Sequence, residues 1–310
     1  MEHRQLGRSG LRVSLAGLGC NNFGMRIDQE ATNAVVHAAL DAGITLFDTA
    51  RIYGGGKSEG MLGAALGTHR ADVLVATKFG LGTGPDDAGG SRRHVIRSVE
   101  TSLRELGTDW IDLFQLHFPD PTTPIEETLC ALSDLVRSGK VRYVGCSNFT
   151  GWMIADAHWT AQVTRLEHFV SAQNEWSLLH RGIEAEVVGA CERYGLGIIP
   201  YFPLASGLLT GKVRRGEAPP SSSRLSASHF ARVLTDANFD KLEALETWGA
   251  EHGRGLLEVA LSWLGSHPAV GSVIAGATSP EQVHANARAT RGDLTPAERA
   301  EIGELVGLTT

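Results

Sequence analysis

Residues 45–60 read TLFDTARIYGGGKSEG. The stretch opens as an apolar run suited to a buried strand, stops on the carboxylate of Asp48, and passes into a glycine-rich loop that carries Tyr53. A carboxylate closing a core strand costs desolvation unless another group satisfies it, so the fold must bring a partner to Asp48. Seven further short apolar runs lie along the chain: SLAGLGC (14–20), VLVATKF (73–79), DLFQLH (112–117), VRYVGCS (141–147), FVSAQNE (169–175), GIIPYFP (197–203) and SVIAGA (272–277). Stretches of helical periodicity separate them, the pattern of repeated βα units around a parallel sheet. DQEATNAVVHAALDAG (28–43) is one such stretch. TPIEETLCALSDLVRSGK (123–140) is another, with Thr123 predicted as N-cap, Pro124 in the first turn and Gly139 as C-cap. Eight strands with crossover helices predict an α/β protein with a closed (β/α)8 TIM barrel. HRQLGRSGLRV (3–13) reads as a β-hairpin about Ser9-Gly10 that plugs the barrel floor. No internal repeat and no interdomain linker interrupts the alternation, so residues 1–310 are expected to form a single domain. The long irregular stretch 211–230, GKVRRGEAPPSSSRLSASHF, has the length of a lid or binding loop.

Composition narrows the function classes. Hydrophobic residues make up 42 % and charged residues 20 % of the 310-residue chain, the balance of a soluble globular protein. With 28 basic against 35 acidic residues the formal charge is −7, which disfavours nucleic acid or an anionic membrane as partner. A small molecule is the expected partner, and the protein itself is expected to be a monomer or weak oligomer. Cys20, Cys130, Cys146 and Cys191 show neither a CxxC nor a His-pairing spacing, so no disulfide framework and no metal site is expected, and a reducing cytoplasm fits. The N-terminus lacks the apolar core of a secretory signal, and no run of about 18 apolar residues occurs.

Other strands also finish on residues that a core avoids: VLVATKF reaches Lys78 and DLFQLH ends on His117. In a barrel those ends face one rim, where active sites are built. Each alone suits an ordinary strand terminus; together with Tyr53 they make chemical sense as a set. A tyrosine with a pKa of about 10 is a poor acid near neutrality until a cation stabilises its phenolate. Lys78 supplies that cation, Asp48 holds it, and His117 can donate a hydrogen bond to a polarised carbonyl oxygen.

With FDTARIYGGGKSE, VATKFG, FQLH, VGCSNF and PLASGLLTGK in this order, the chain resembles the aldo-keto reductases over about residues 3–290. The resemblance implies an NAD(P)-dependent carbonyl reductase with Tyr53 as general acid, Lys78 and Asp48 tuning it, and His117 orienting the substrate carbonyl. All four positions of the family's tetrad are filled.

No GxGxxG links a strand to a helix, so a Rossmann fingerprint is not what binds a dinucleotide here. SGLLTGKV is one residue short of a phosphate loop and has no Ser or Thr after Lys212. The resemblance instead implies cofactor contacts at the later strand ends: Ser147, Asn148 and Gln173 on the nicotinamide carboxamide, and Tyr201 stacked on its ring. Phe202, Pro203, Leu204, Ser206 and Gly207 would follow around the pyrophosphate, with Lys212 and Arg224 as cationic phosphate contacts and Gly276, Thr278, Gln282 and Asn286 at the adenosine. Ser147 and Asn148 are equally suited to capping the next helix, Tyr201 to core packing, and Lys212 and Arg224 to a solvated loop. Three positions depart from the family pattern. Gln282 stands where many NADPH-selective members have Arg, Ala285 replaces a common Glu, and Phe202 replaces the Ser that usually follows the stacking tyrosine. Loss of a bidentate cation weakens selectivity for a 2′-phosphate, so NADP is the favoured cofactor and NAD the alternative.

Asn22, Phe23, Phe118 and Trp152 flank the first, fourth and fifth strands on the rim side and are candidate substrate contacts; each also suits core packing. The other readings open to the sequence are an NAD(P)-dependent sugar or polyol dehydrogenase and a non-catalytic NADP(H)-binding regulatory subunit.

Overall fold

The computed structural model describes residues 1–82, 88–220, 223–227 and 230–307. Strands β1 (His3–Gln5) and β2 (Arg12–Ser14) form the antiparallel hairpin. Eight parallel strands follow: β3 (Ala16–Gly19), β4 (Leu46–Asp48), β5 (Leu74–Phe79), β6 (Ile111–Leu116), β7 (Val141–Ser147), β8 (Ser171–Gln173), β9 (Gly197–Ile198) and β10 (Val273–Gly276). Seven fall inside one of the eight runs read from the sequence and β6 begins one residue before its run, at Ile111; their spatial order is β10-β3-β4-β5-β6-β7-β8-β9. The remaining seam, between β9 and the approach to β10, is joined by Ile198 N to Ala269 O (2.8 Å), Gly271 N to Ile198 O (2.9 Å) and Ile274 N to Pro200 O (3.3 Å). The sheet is therefore a closed (β/α)8 barrel, its helices packed outside.

Those helices are α1 (Gln29–Asp41), α2 (Ser58–Leu66), α3 (Arg92–Leu106), α4 (Ile125–Arg137), α5 (Gly151–Thr164), α6 (Val187–Tyr194), α7 (Asp236–Glu251), α8 (Leu256–Gly265), α9 (Pro280–Ala289) and α10 (Pro296–Val306). Among the described residues no helix is long and apolar enough to cross a membrane. The expected start of α4 needs correction. Pro124 occupies the N-cap, and the Thr123 hydroxyl donates instead to Asp120 Oδ2 at 2.7 Å. Asp120 also accepts from Thr122 and from Gly90 N, so a strong local acceptor outcompetes the helix end for that hydroxyl. At the other end Ser138 is the C-cap, and Gly139 follows it with φ 78°.

Successive side chains of a strand alternate between its faces, so every second residue points into the barrel. At the floor, Leu46, Ala76, Leu113, Ile199 and Ile274 pack against Leu6, Leu11 and Val13 of the hairpin. The plug is tight: Gly7 has φ +59°, and a Cβ there would run into Gly195 O, whose neighbouring bond from Arg8 N is 2.8 Å. Two residues further along the same inward columns stand Asp48, Lys78 and Gln115, and beyond Gln115 stands His117. In β4, β5 and β6 the barrel interior therefore changes from apolar to polar in one inward step.

Candidate active site

The loop after β4 explains why residues 45–60 read as they do. Tyr53 begins a 3₁₀ turn (Tyr53–Gly56), and Gly54, Gly55 and Gly56 have φ values of 61°, 66° and 90°. A Cβ on Gly54 would strike Phe23 O, so glycine is needed both for conformation and for the close approach. The following α2 is tied back to the barrel: Ser58 Oγ donates to Cys20 O at 2.9 Å, and buried Glu59 accepts from Thr77 Oγ1 at 2.6 Å. Burial raises the Glu59 carboxyl pKa.

Asp48 meets its partner as charge balance demanded. Lys78 Nζ, fully buried, donates to Asp48 Oδ2 (2.6 Å) and Thr49 O (2.8 Å), and lies 3.4 Å from Tyr53 Oη. Asp48 Oδ1 accepts from Gln173 Nε2 (2.8 Å) and Gln115 Nε2 (3.4 Å). Burial works against the Lys78 ammonium, but Asp48 and Tyr53 outweigh it and raise its pKa, so the cation is retained. For Tyr53, burial pushes the phenol up, Lys78 pulls it down and Asp48 raises it again; the net direction is upward. Lys78 thus lowers the Tyr53 pKa, as its charge requires, but burial has the larger effect. His117 packs edge-on against Tyr53 with ring centroids 5.8 Å apart. Burial and then Lys78 lower its pKa to about 3, so it is a neutral imidazole near pH 7.

Above this cluster lies a cavity of about 560 Å³ at the C-terminal ends of the strands. Asp48, Tyr53 and His117 line it, and so do Ser147, Asn148, Gln173, Tyr201, Phe202, Pro203, Leu204, Ser206, Gly207, Lys212, Arg224, Gly276, Thr278, Gln282 and Asn286. Lys78 lies beneath the wall, reaching the cavity through Tyr53. Ser147 and Asn148 do not cap α5, whose N-cap is Thr150. Ser147 Oγ donates to Gln173 O, Asn148 Nδ2 to His117 O, and Tyr201 Oη to Asn148 Oδ1 (2.8 Å). Burial and then Glu175 push the Tyr201 phenol up to about 12, which keeps that donor protonated. Arg224 reaches over the cavity to Asn21 and Asn22 (3.2 and 2.8 Å), its guanidinium set against the rings of Phe202 and Phe230.

Backbone strain is concentrated in the same wall. Phe202, Ala205, Ser206 and Gly207 have φ values of 50°, 46°, 61° and 104°, and non-glycine residues with positive φ are uncommon outside such sites. Gln282, at the outer end, accepts from Thr278 N at 2.9 Å and so is partly committed to its own turn.

The four candidate substrate contacts divide. Asn22 and Phe118 line the cavity, Asn22 through a buried amide that donates to Ala277 O, Phe118 as an exposed ring stacked on His117. Phe23 does not: the turn closed by Phe23 N to Cys20 O directs its fully buried ring into the core behind the loop. Trp152 stands 62 % exposed in the first turn of α5, outside the cavity lining. Arg26, in the cavity lining, and Gln115, which donates to Asp48 Oδ1, were not singled out from the sequence. Gln115 had a signal, as the inward polar position between Leu113 and His117.

The family model described as "Aldo/keto reductase family" matches residues 16–306. The chain is 38 % identical over 299 residues to a protein of Oryza sativa subsp. japonica named probable voltage-gated potassium channel subunit beta, covering 93 % of this chain and 91 % of that one. It is 37 % identical over 296 residues to an uncharacterized oxidoreductase of Bacillus subtilis, covering 91 % and 89 %. To the L-glyceraldehyde 3-phosphate reductase of Escherichia coli K12 it is 33 % identical over 316 residues, covering 93 % and 87 %.

Proposed function

This chain belongs to the aldo/keto reductase family, and from that premise we propose that it is an NADP(H)-dependent reductase of aldehydes and ketones. One observation carries the reading: a buried ammonium bridges a carboxylate and a tyrosine hydroxyl at the wall of a cavity long enough to be lined from Tyr53 to Asn286.

The donor set suits a nicotinamide dinucleotide. Tyr201 offers a ring face beside the Ser147, Asn148 and Gln173 polar groups. In the left-handed run from Ala205 to Gly207 the Ala205 and Gly207 N–H groups already donate to Phe202 O and Leu204 O, and the run brings Ser206 and Gly207 to the cavity wall. Lys212 and Arg224 bring positive charge to the same wall. Bound there, the cofactor supplies the hydride.

The chain's own residues supply placement and the proton. Tyr53, protonated at neutral pH because burial holds its pKa up, gives its proton to the substrate oxygen. As that O–H bond breaks, the Lys78 ammonium 3.4 Å away stabilises the phenolate left behind. Asp48 and Thr49 O hold the ammonium in position. Neutral His117 presents a ring N–H to the same substrate oxygen, fixing the carbonyl for attack.

The test is to add NADPH and 4-nitrobenzaldehyde to purified protein. Loss of the cofactor's near-ultraviolet band, with saturable quenching on cofactor binding, is the expected result. Binding without that loss would move the reading to a cofactor-holding regulatory subunit, which the name of the rice relative favours. No binding of either NADPH or NADH would overturn both readings.

A further inference from the structure

Gln115 takes part in none of the contacts proposed for cofactor or substrate. It lies in β6, in register with Lys78 on one side and Gly145 on the other, fully buried and outside the cavity lining. Two features show that the barrel accommodates its amide against the demands of packing. A Cβ on Gly145 would sit 3.2 Å from Gln115 Cγ and would run into Ser171 Oγ, so the neighbouring strand leaves room for it. Its Oε1 is buried without a hydrogen-bond partner among the described residues, which is destabilising. An apolar side chain of the same length would fill the space without that penalty.

Resting on the reductase reading, we infer that Gln115 is a positioning residue, whose amide together with that of Gln173 fixes the Asp48 carboxylate so that Oδ2 alone faces Lys78. Its N–H dipole offsets part of the carboxylate's charge. Without it, Asp48 neutralises the Lys78 ammonium more fully, and less of that cation's field remains for a phenolate on Tyr53. The charged and titratable groups around Tyr53 are Asp48 from β4, Lys78 from β5, Cys20 at the end of β3, His117 after β6, Tyr201 after β9, and Arg224 from the strap across the cavity. Gln115 acts on the first of these and, through it, on the second.

The test compares wild type with Gln115→Met, which keeps the length and removes the donor, and Gln115→Glu, which keeps the shape and adds like charge. NADP-linked oxidation of 4-nitrobenzyl alcohol needs the Tyr53 phenolate, so its rate climbs with pH while phenolate is scarce. In Gln115→Met that rising line is expected at higher pH, with kcat for aldehyde reduction near neutrality down roughly three- to tenfold, KM and NADPH affinity unchanged, and Tm equal or higher. Gln115→Glu should move the line further the same way. An unmoved line and kcat in both variants, with a lowered Tm, would make Gln115 a core filler and overturn the inference alone. A wild-type protein with no turnover in either direction would overturn the reductase reading and this role with it.

Discussion

Lys78–Asp48 and Arg70–Asp112 are both buried ion pairs, closed at 2.6 and 2.7 Å, and they sit at opposite ends of β5. Arg70 also donates to Val73 O and Trp110 O, while Asp112 accepts from Val75 N and from the Trp110 indole. These partners belong to the starts of β5 and β6 and bind the strands to each other. The Lys78 pair is satisfied by Thr49 O, Gln115 and Gln173, but its remaining partner is the Tyr53 hydroxyl, which faces a cavity. A buried charge whose contacts end on backbone holds a fold together; one whose contacts end on a titratable group at a cavity wall can also do chemistry.

Breaking the two pairs in the same way tests that contrast. Lys78→Met leaves buried Asp48 without its cation, while Arg70→Met leaves Asp112 with only Arg142 Nε at 3.9 Å, so both should unfold in less urea than wild type, Lys78→Met by about 3–5 kcal/mol and Arg70→Met by less. Only Lys78→Met should lose kcat per folded molecule, by about 10²–10⁴-fold. Equal kinetics in the two variants would erase the distinction.

A smaller effect sharpens the outer boundary of the site. Lys212→Ala should weaken NADPH roughly tenfold in a fluorescence titration and NADH much less, since a dianionic 2′-phosphate gains most from a charge-assisted partner. Equal weakening of both cofactors would assign Lys212 to the pyrophosphate they share.

The same contrast separates what the sequence made legible from what it concealed. Each barrel strand overlaps a run visible to the eye, because a parallel strand covered on both faces must be apolar on both. The observed strands are shorter than their runs: FVSAQNE keeps three ladder residues and GIIPYFP two, and past the second of these Tyr201, Phe202 and Pro203 line the cavity. Asp48, Lys78 and His117 were legible because charge or imidazole is out of place in an apolar strand. Phe23 was not, because an apolar residue in a loop fits core and pocket equally, and only the turn back to Cys20 decides its direction. Thr123 was misplaced because the competing acceptor, Asp120, lies three residues upstream, and nothing in the helix pattern ranks the two. Gln115 went unnoticed although the period-two rule that explains Asp48 and Lys78 also points it inward; its amide looked neutral enough for a strand.

The central claim is that the proton on Tyr53 leaves for the substrate while the cofactor site stands apart from that step. Measuring NADPH-linked aldehyde reduction and NADPH affinity together in Tyr53→Phe tests it most directly. The account predicts turnover lost by at least about 10²-fold with affinity nearly unchanged; turnover near wild type at neutral pH would contradict it.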